Sequence, residues 1–140
     1  MALSVSPSEL SLVGVFLMSE GRRRILCAES NKDVGDLIAL MLEQKGYAVE
    51  SVQTAADCLK LAMTERFDLY ILNDTYIDGD SLELCRELRS LDPVTPVLLF
   101  SLESSGPNRQ HPLQTGIKIY TSKTSDFVSL VQTIDQILQS

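Results

Sequence analysis

Polar side chains follow four of the short apolar runs in this 140-residue sequence, and they are the groups that could carry chemistry. They comprise two carboxylates, one amide, two hydroxyls and one amine, contributed by Glu29, Ser30, Asn73, Asp74, Ser101 and Lys123. In an open parallel α/β sheet, ligands bind outside the carboxyl ends of the strands. If the apolar runs are parallel strands, these side chains lie at one edge of the sheet and form the candidate site.

Residue types exclude several other kinds of site. His111 is the single histidine, which rules out zinc sites that need two. Cys27, Cys58 and Cys85 are odd in number and form no CxxC motif, so they predict buried, reduced thiols rather than disulfides. The acidic segment DTYIDGD (74–80) lacks the later liganding glutamate of an EF-hand loop, so it predicts a turn followed by a helix cap.

The elements that would position the site alternate regularly along the chain. Short apolar or alternating runs predict five strands, beginning near Ile25, Ala48, Leu69, Val97 and Ile117. Helical periodicity separates the first four of them, and a last helix runs from 126 to 138. Such alternation is typical of βαβ units, so it predicts an α/β fold built on a parallel sheet.

Local signals mark the helix ends. Asn31 and Thr54 are predicted N-caps, and Gly46 stands where a helix ends in a left-handed residue. In the third helix, the spacing predicts Leu82, Cys85, Leu88 and Leu91 on the inward face. Between the last two strands, Gly106-Pro107 and Pro112 predict at most a short or broken helix.

Composition and charge set the class of protein. Hydrophobic residues make up 44% of the chain, enough for one globular domain. Twelve basic residues against nineteen acidic ones give a formal charge of −7, which disfavours nucleic acid as a partner. The apolar run at 10–18 is too short to span a membrane, so we expect no membrane association. We expect residues 1–22 to form a poorly ordered or loosely docked extension before a domain at 23–140.

From residue 24 to 138 the chain resembles the receiver domain of two-component response regulators. The segment LNDTYIDGDSLELCREL (72–88) is similar to the third strand, phosphoacceptor loop and third helix of that family. Lys45-Gly46-Tyr47, the run PVLLFS (96–101), and the spacing of Tyr120 from Lys123 also match. The resemblance implies a flavodoxin-like (βα)5 three-layer sandwich with strand order 2-1-3-4-5. The three cysteines, expected to be reduced thiols, favour a cytoplasmic location.

The chemistry departs from that family. Active receivers hold Mg²⁺ with an acidic pair after the first strand and an aspartate that accepts the phosphoryl group. By the resemblance, Glu29 and Ser30 occupy the positions of the pair, and Asn73 occupies that of the acceptor. Ser101 and Lys123 match the hydroxyl and lysine that stabilise the phosphoryl oxygens, and Tyr120 matches the switch aromatic. One carboxylate in place of three implies that Mg²⁺ binds weakly or not at all.

The resemblance therefore implies a degenerate receiver that is not an enzyme and that acts by protein–protein contact, independently of phosphorylation. Its partner would be a histidine kinase or an output protein, and the sequence leaves its oligomeric state open. An alternative is an active receiver that uses Asp74 as the phosphoacceptor with Mg²⁺. A small-ligand binder is a third interpretation. The segment ESNKDVG (29–35) disfavours flavin because it is not a Ser/Thr/Gly-rich phosphate loop.

Overall fold

A computed structural model of the chain describes residues 21–73, 75–76, 78–102, 113–116, 119–124 and 126–139. In these ranges the strands are β1 (Arg24–Ala28), β2 (Ala48–Val52), β3 (Leu69–Leu72), β4 (Thr75–Tyr76), β5 (Gly79–Asp80), β6 (Val97–Leu102), β7 (Leu113–Gly116) and β8 (Ile119–Thr124). The helices are α1 (Lys32–Gln44), α2 (Ala55–Thr64), α3 (Ser81–Leu91) and α4 (Phe127–Gln139).

The main sheet has the order β2-β1-β3-β6-β8-β7, and its first five strands run parallel. These five are the predicted strands in the predicted order 2-1-3-4-5, so the flavodoxin-like α/β fold is confirmed. The sheet continues one strand beyond the prediction, because β7 pairs antiparallel with β8 along the edge. Residues 103–112, with the Gly106–Pro112 segment, and residues 117–118 lie outside the described part of the chain.

The central strands are buried on both faces, and this places helices on both sides of the sheet. Successive side chains of a strand point to opposite faces. Ile25 and Cys27 of β1 therefore pack into a core with α1 and α4, while Leu26 and Ala28 pack into a second core with α2 and α3. Every residue of β3 is buried in the same way. The three predicted layers follow from this alternation.

The predicted helix caps are confirmed. Asn31 and Thr54 each accept a hydrogen bond from the backbone amide three residues ahead, at 3.1 Å in both cases. Asp80 does the same for α3 at 2.8 Å, as the predicted turn and cap require. Gly46 follows α1 with a φ of +96°, a conformation that side chains with a Cβ rarely adopt.

The prediction for the inward face of α3 is partly wrong. Cys85 and Leu88 are buried as expected, together with Leu84. Leu82 and Leu91 are 60% and 48% exposed, because the buried positions follow the spacing 81, 84, 85 and 88. Because leucines occur on more than one side of α3, their spacing alone did not show which side faces the core.

The three cysteines are free and buried, as predicted. Burial raises the pKa of Cys58 to about 12 and raises the pKa values of Cys27 and Cys85 as well. The thiols are therefore protonated at neutral pH and pack as small apolar side chains.

None of the helices in the described ranges has the length and apolar character needed to cross a bilayer. Residues 1–20, most of the predicted extension at 1–22, lie outside these ranges.

The corrected face of α3 yields a first prediction. Leu88→Ala should lower the free energy of unfolding by about 2–5 kcal/mol, because it leaves a cavity in the core beneath α3. Leu82→Ala is the matched control on the same helix and should change it by less than about 0.5 kcal/mol. Urea unfolding followed by circular dichroism measures both values. Equal losses for the two variants would contradict the assigned face.

Candidate functional site

Glu29 and Asn73 meet at the carboxyl end of the sheet. Strands β1 and β3 are parallel neighbours with Ala28 opposite Leu72, so the residues that follow them emerge side by side. The Asn73 backbone N–H donates to the carbonyl of Ala28 at 3.1 Å, which continues the ladder into the loop. The Asn73 side-chain amide nitrogen donates a hydrogen bond to Oε2 of Glu29.

Glu29 is a buried acid held by neighbouring groups. Its side chain is only 3% exposed, and its Oε1 accepts a hydrogen bond from the backbone N–H of Asn31 at 3.1 Å. Burying a carboxylate costs free energy unless hydrogen bonds replace those made by water. Asn31 donates such a bond to one oxygen of the carboxylate and Asn73 donates to the other.

Gly35 lies where α1 packs beside the Glu29 side chain and against β2. A Cβ at this buried position would lie 3.5 and 3.7 Å from Cβ and Cγ of Glu29 and 2.7 Å from Oγ of Ser51. The last distance is too short for any Cβ contact without a shift of the serine. The missing side chain of Gly35 therefore leaves room for the Ser51 hydroxyl of β2 beside α1.

Ser101 and Lys123 lie near the same end of the sheet, on adjacent strands. They are direct partners in the parallel register of β6 and β8. Ser101 is partly buried, whereas the side chain of Lys123 lies outside what the structure describes. Asp74 lies outside the described residues too.

The other two residues of the candidate set lie at the margins of the site. Ser30 is exposed at the start of the loop after β1, where its carbonyl accepts a hydrogen bond from Nε2 of Gln53 at 3.2 Å. Tyr120 is partly buried on β8 and packs against the core under α1 and α4.

The loop after β3 is attached to its surroundings by two residues that sequence analysis did not assign to the site. The Tyr76 hydroxyl donates to the carbonyl of Ala28 at 2.9 Å, from a ring buried in the core under α2 and α3. The Asp78 carboxylate accepts the backbone N–H groups of Ala55 and Ala56, at 2.9 and 3.0 Å.

Asp78 is therefore more than the turn residue predicted from DTYIDGD. The two N–H groups at the start of α2 lower the pKa of its carboxyl below the usual value of 3.8. Its partners are 22 and 23 residues away in the sequence, so no local motif announced the contact.

The described part of the chain holds no group of three or more His, Cys, Asp or Glu side chains arranged to bind a metal ion. Among the described residues of the candidate set, the oxygens that could bind a metal ion are the carboxylate of Glu29 and the neutral oxygens of Asn73, Ser30 and Ser101. Mg²⁺ sites in proteins usually combine one or two direct carboxylates with water and substrate oxygens. Among the described residues, the first one after β3 brings an amide and not a carboxylate to this arrangement.

A family comparison places nearly the whole described chain in one known domain. The model for the response regulator receiver domain matches residues 25–135. Among curated proteins, the transcriptional regulatory protein CreB of Escherichia coli is 31% identical over 102 residues, covering 73% of this chain and 44% of CreB. The response regulator MprA of Mycobacterium leprae is 28% identical over 116 residues, covering 83% of this chain and 51% of MprA. The chain thus spans about half the length of these relatives.

Solved structures agree on the fold. A CheY-like response regulator receiver domain from Methanospirillum hungatei has a TM-score of 0.70 at 19% identity, covering 85% of this chain and 95% of that one. A response regulator receiver protein from Sinorhizobium medicae has a TM-score of 0.70 at 17% identity, covering 87% and 98%.

The contact between Asp78 and α2 predicts a pH dependence of stability. A folded-state pKa below the unfolded value means that the carboxylate stabilises the fold above about pH 4 and loses this effect as the pH falls through the folded pKa. Asp78→Asn should therefore lower the urea midpoint at pH 7, and its difference from the wild type should shrink toward pH 3. Glu87→Gln, on the exposed side of α3, is the charge-matched control. A difference that stays constant with pH would refute the assignment.

Proposed function

We propose that this chain, which belongs to the response regulator receiver domain family, is a signalling module that works through protein contacts and without phosphorylation. Receiver domains of this family act with histidine kinases and output domains in two-component signalling. We propose a partner of one of these two classes, no nucleic acid or membrane partner, no enzymatic activity, and a cytoplasmic location.

One observation carries the proposal: the residue at the end of β3 is an amide bonded to Glu29. A carboxamide is neutral and a poor nucleophile toward phosphorus, so Asn73 cannot form an acyl phosphate as an aspartate does. Its amide nitrogen also occupies Oε2 of Glu29, the acid that follows β1. Both features favour a pocket that is held by internal hydrogen bonds.

The donor set supports a further part of the proposal, that Mg²⁺ binds weakly or not at all. The carboxylate of Glu29 already accepts hydrogen bonds from Asn31 and Asn73. An ion at this place would compete with these donors for the Glu29 oxygens and would gain the charge of a single described carboxylate. The electrostatic attraction is correspondingly small.

The alternative, an active receiver with Asp74 as acceptor, meets a geometric objection. Successive residues of an extended strand point in opposite directions, so Asp74 replaces Asn73 only if the chain shifts its register. The hydrogen bond from the Asn73 backbone N–H to Ala28 continues the β1–β3 ladder up to this point, and that supports an unshifted register. Phosphorylation of Asp74 is therefore the alternative outcome of the test below.

The test is phosphoryl uptake from a small-molecule phosphodonor. With Mg²⁺ present, intact-mass spectrometry of the wild type should show no gain of a phosphoryl group. Asn73→Asp restores a nucleophile and should give a small fraction of modified protein. Adding Ser30→Asp supplies the acid that would contact the metal directly, so the double variant should give a clearly larger fraction.

Asp74→Asn in the wild-type background is the control for the alternative. Uptake by the wild type that disappears in this variant would make Asp74 the acceptor and overturn the proposal. Uptake that persists in Asp74→Asn would overturn it as well, because another residue would then be phosphorylated.

The same variants should lose stability in metal-free buffer. Asn73→Asp exchanges a hydrogen-bond donor to buried Glu29 for a like charge, so we expect a loss of about 1–3 kcal/mol in the free energy of unfolding. Mg²⁺ should restore part of this loss in the double variant, by binding the folded state. Thermal unfolding with chelator and with Mg²⁺ measures both effects. A double variant as stable as the wild type in chelator would show that the acids do not meet.

A further inference from the structure

A second feature lies at the opposite end of the sheet from Glu29 and Asn73. A cavity of about 1250 Å³ opens beside the amino ends of β1, β3 and β6 and the carboxyl ends of α2 and α3. Four arginines line it, at positions 22, 23, 24 and 66. We call this cavity and its rim the basic basin. It holds a third of the twelve basic residues of a chain with a formal charge of −7.

Arg24 has a structural role in the wall of the basin. Its guanidinium forms an ion pair with Glu65 at 2.5 Å and donates to the carbonyl of Arg66 at 2.9 Å. It also lies 4.7 Å from the centre of the Phe67 ring. The backbone N–H of Arg24 donates to Asp68 at 2.7 Å. Two of the acids that line the basin are therefore bound by Arg24.

The third acid of the lining, Asp92, is bound by its own neighbours. Its carboxylate accepts hydrogen bonds from the Tyr70 hydroxyl at 3.0 Å, from the Thr95 hydroxyl at 2.5 Å, and from the backbone N–H groups of Val94 and Thr95. These bonds hold the turn between α3 and β6. They also leave Asp92 little capacity to neutralise an arginine across the basin.

The other three arginines are available to a partner. Within the described ranges, no carboxylate lies within ion-pair distance of Arg22, Arg23 or Arg66. Arg23 and Arg66 are exposed and Arg22 is partly exposed. Two large apolar side chains stand beside them, Leu91 and Val94, which are 48% and 64% exposed.

We propose that the basic basin is a docking surface for an acidic segment of a partner protein, one that also carries a large apolar side chain. Arginine binds carboxylates through paired, charge-assisted hydrogen bonds, and the three guanidiniums supply them. Leu91 and Val94 supply the apolar contact that a purely electrostatic site lacks. Because the net charge of the chain is negative, its surface as a whole repels an acidic segment. The basin therefore also determines the position at which such a segment binds.

A protein segment fits the basin better than nucleic acid does. A long polyanion would approach the whole chain, with its formal charge of −7, whereas a short acidic segment needs only the basin. The exposed leucine and valine also match an apolar side chain better than a phosphate backbone.

This inference goes beyond the proposed function, because it places one protein contact at the end of the sheet away from Glu29 and Asn73. Its test needs no phosphodonor and no metal ion. The two proposals can therefore fail independently of each other.

The test measures binding of a labelled synthetic peptide of glutamates and leucines to the full chain, by fluorescence anisotropy at low salt. Arg22→Glu with Arg66→Glu should weaken binding at least about tenfold, since two of the attracting charges are reversed. Lys60→Glu with Arg86→Glu makes the same change in net charge on the exposed sides of α2 and α3, away from the basin. This matched control should weaken binding less than about twofold.

Two further measurements test the apolar contact and compare the peptide with a nucleic acid. Val94→Ser should weaken binding of the leucine-containing peptide and leave binding of a glutamate–serine peptide unchanged. Melting curves establish that each variant is folded. Equal weakening by the two charge-reversed pairs would overturn the proposal, and so would a wild type that fails to bind the peptide. Tighter binding of a labelled single-stranded oligonucleotide than of the peptide would overturn it too.

Discussion

The burial of β1 on both faces is the constraint from which the rest of the structure follows. Ile25 to Ala28 are completely buried, and the strand is hydrogen-bonded along both edges, to β2 and to β3. A strand without water on either face needs a helical layer on each side, and parallel neighbours need crossover connections to supply those helices. The two cores and the three layers are consequences of this one strand.

The same constraint determines the chemistry where β1 ends. Glu29 is the first charged side chain after the strand and is still only 3% exposed, so its carboxylate depends on protein donors. Asn73 reaches it because β3 runs parallel to β1 in a register that brings Asn73 alongside. In the metal-free chain, an amide at this point stabilises the buried acid, whereas an aspartate would repel it. The amide on which the proposed function rests is therefore also the group that stabilises Glu29.

What the sequence could predict was decided by the range of the interactions. The strands and helix caps depend on runs of a few residues and on near neighbours in the sequence, so they could be predicted. The resemblance to receivers added the strand order and the position of Asn73 after β3. The contacts of Tyr76 with β1 and of Asp78 with α2 join residues 22 to 48 positions apart, and no local pattern encodes them. The outward orientation of Leu82 could not be predicted either, because only the packed structure shows which leucines of α3 face the core.

The unpredicted contacts also show how the two ends of the sheet are connected. Asp78, from the loop after β3, accepts the first N–H groups of α2, while Arg24 binds Glu65 and the carbonyl of Arg66 just beyond its last turn. An anion at the amino end and a cation at the carboxyl end both complement the helix dipole. A ten-residue helix is about 15 Å long, and within that length α2 joins the loop beside Glu29 and Asn73 to the wall of the basic basin. A segment bound in the basin therefore contacts the carboxyl end of α2, and the amino end of α2 binds Asp78 in the loop after β3.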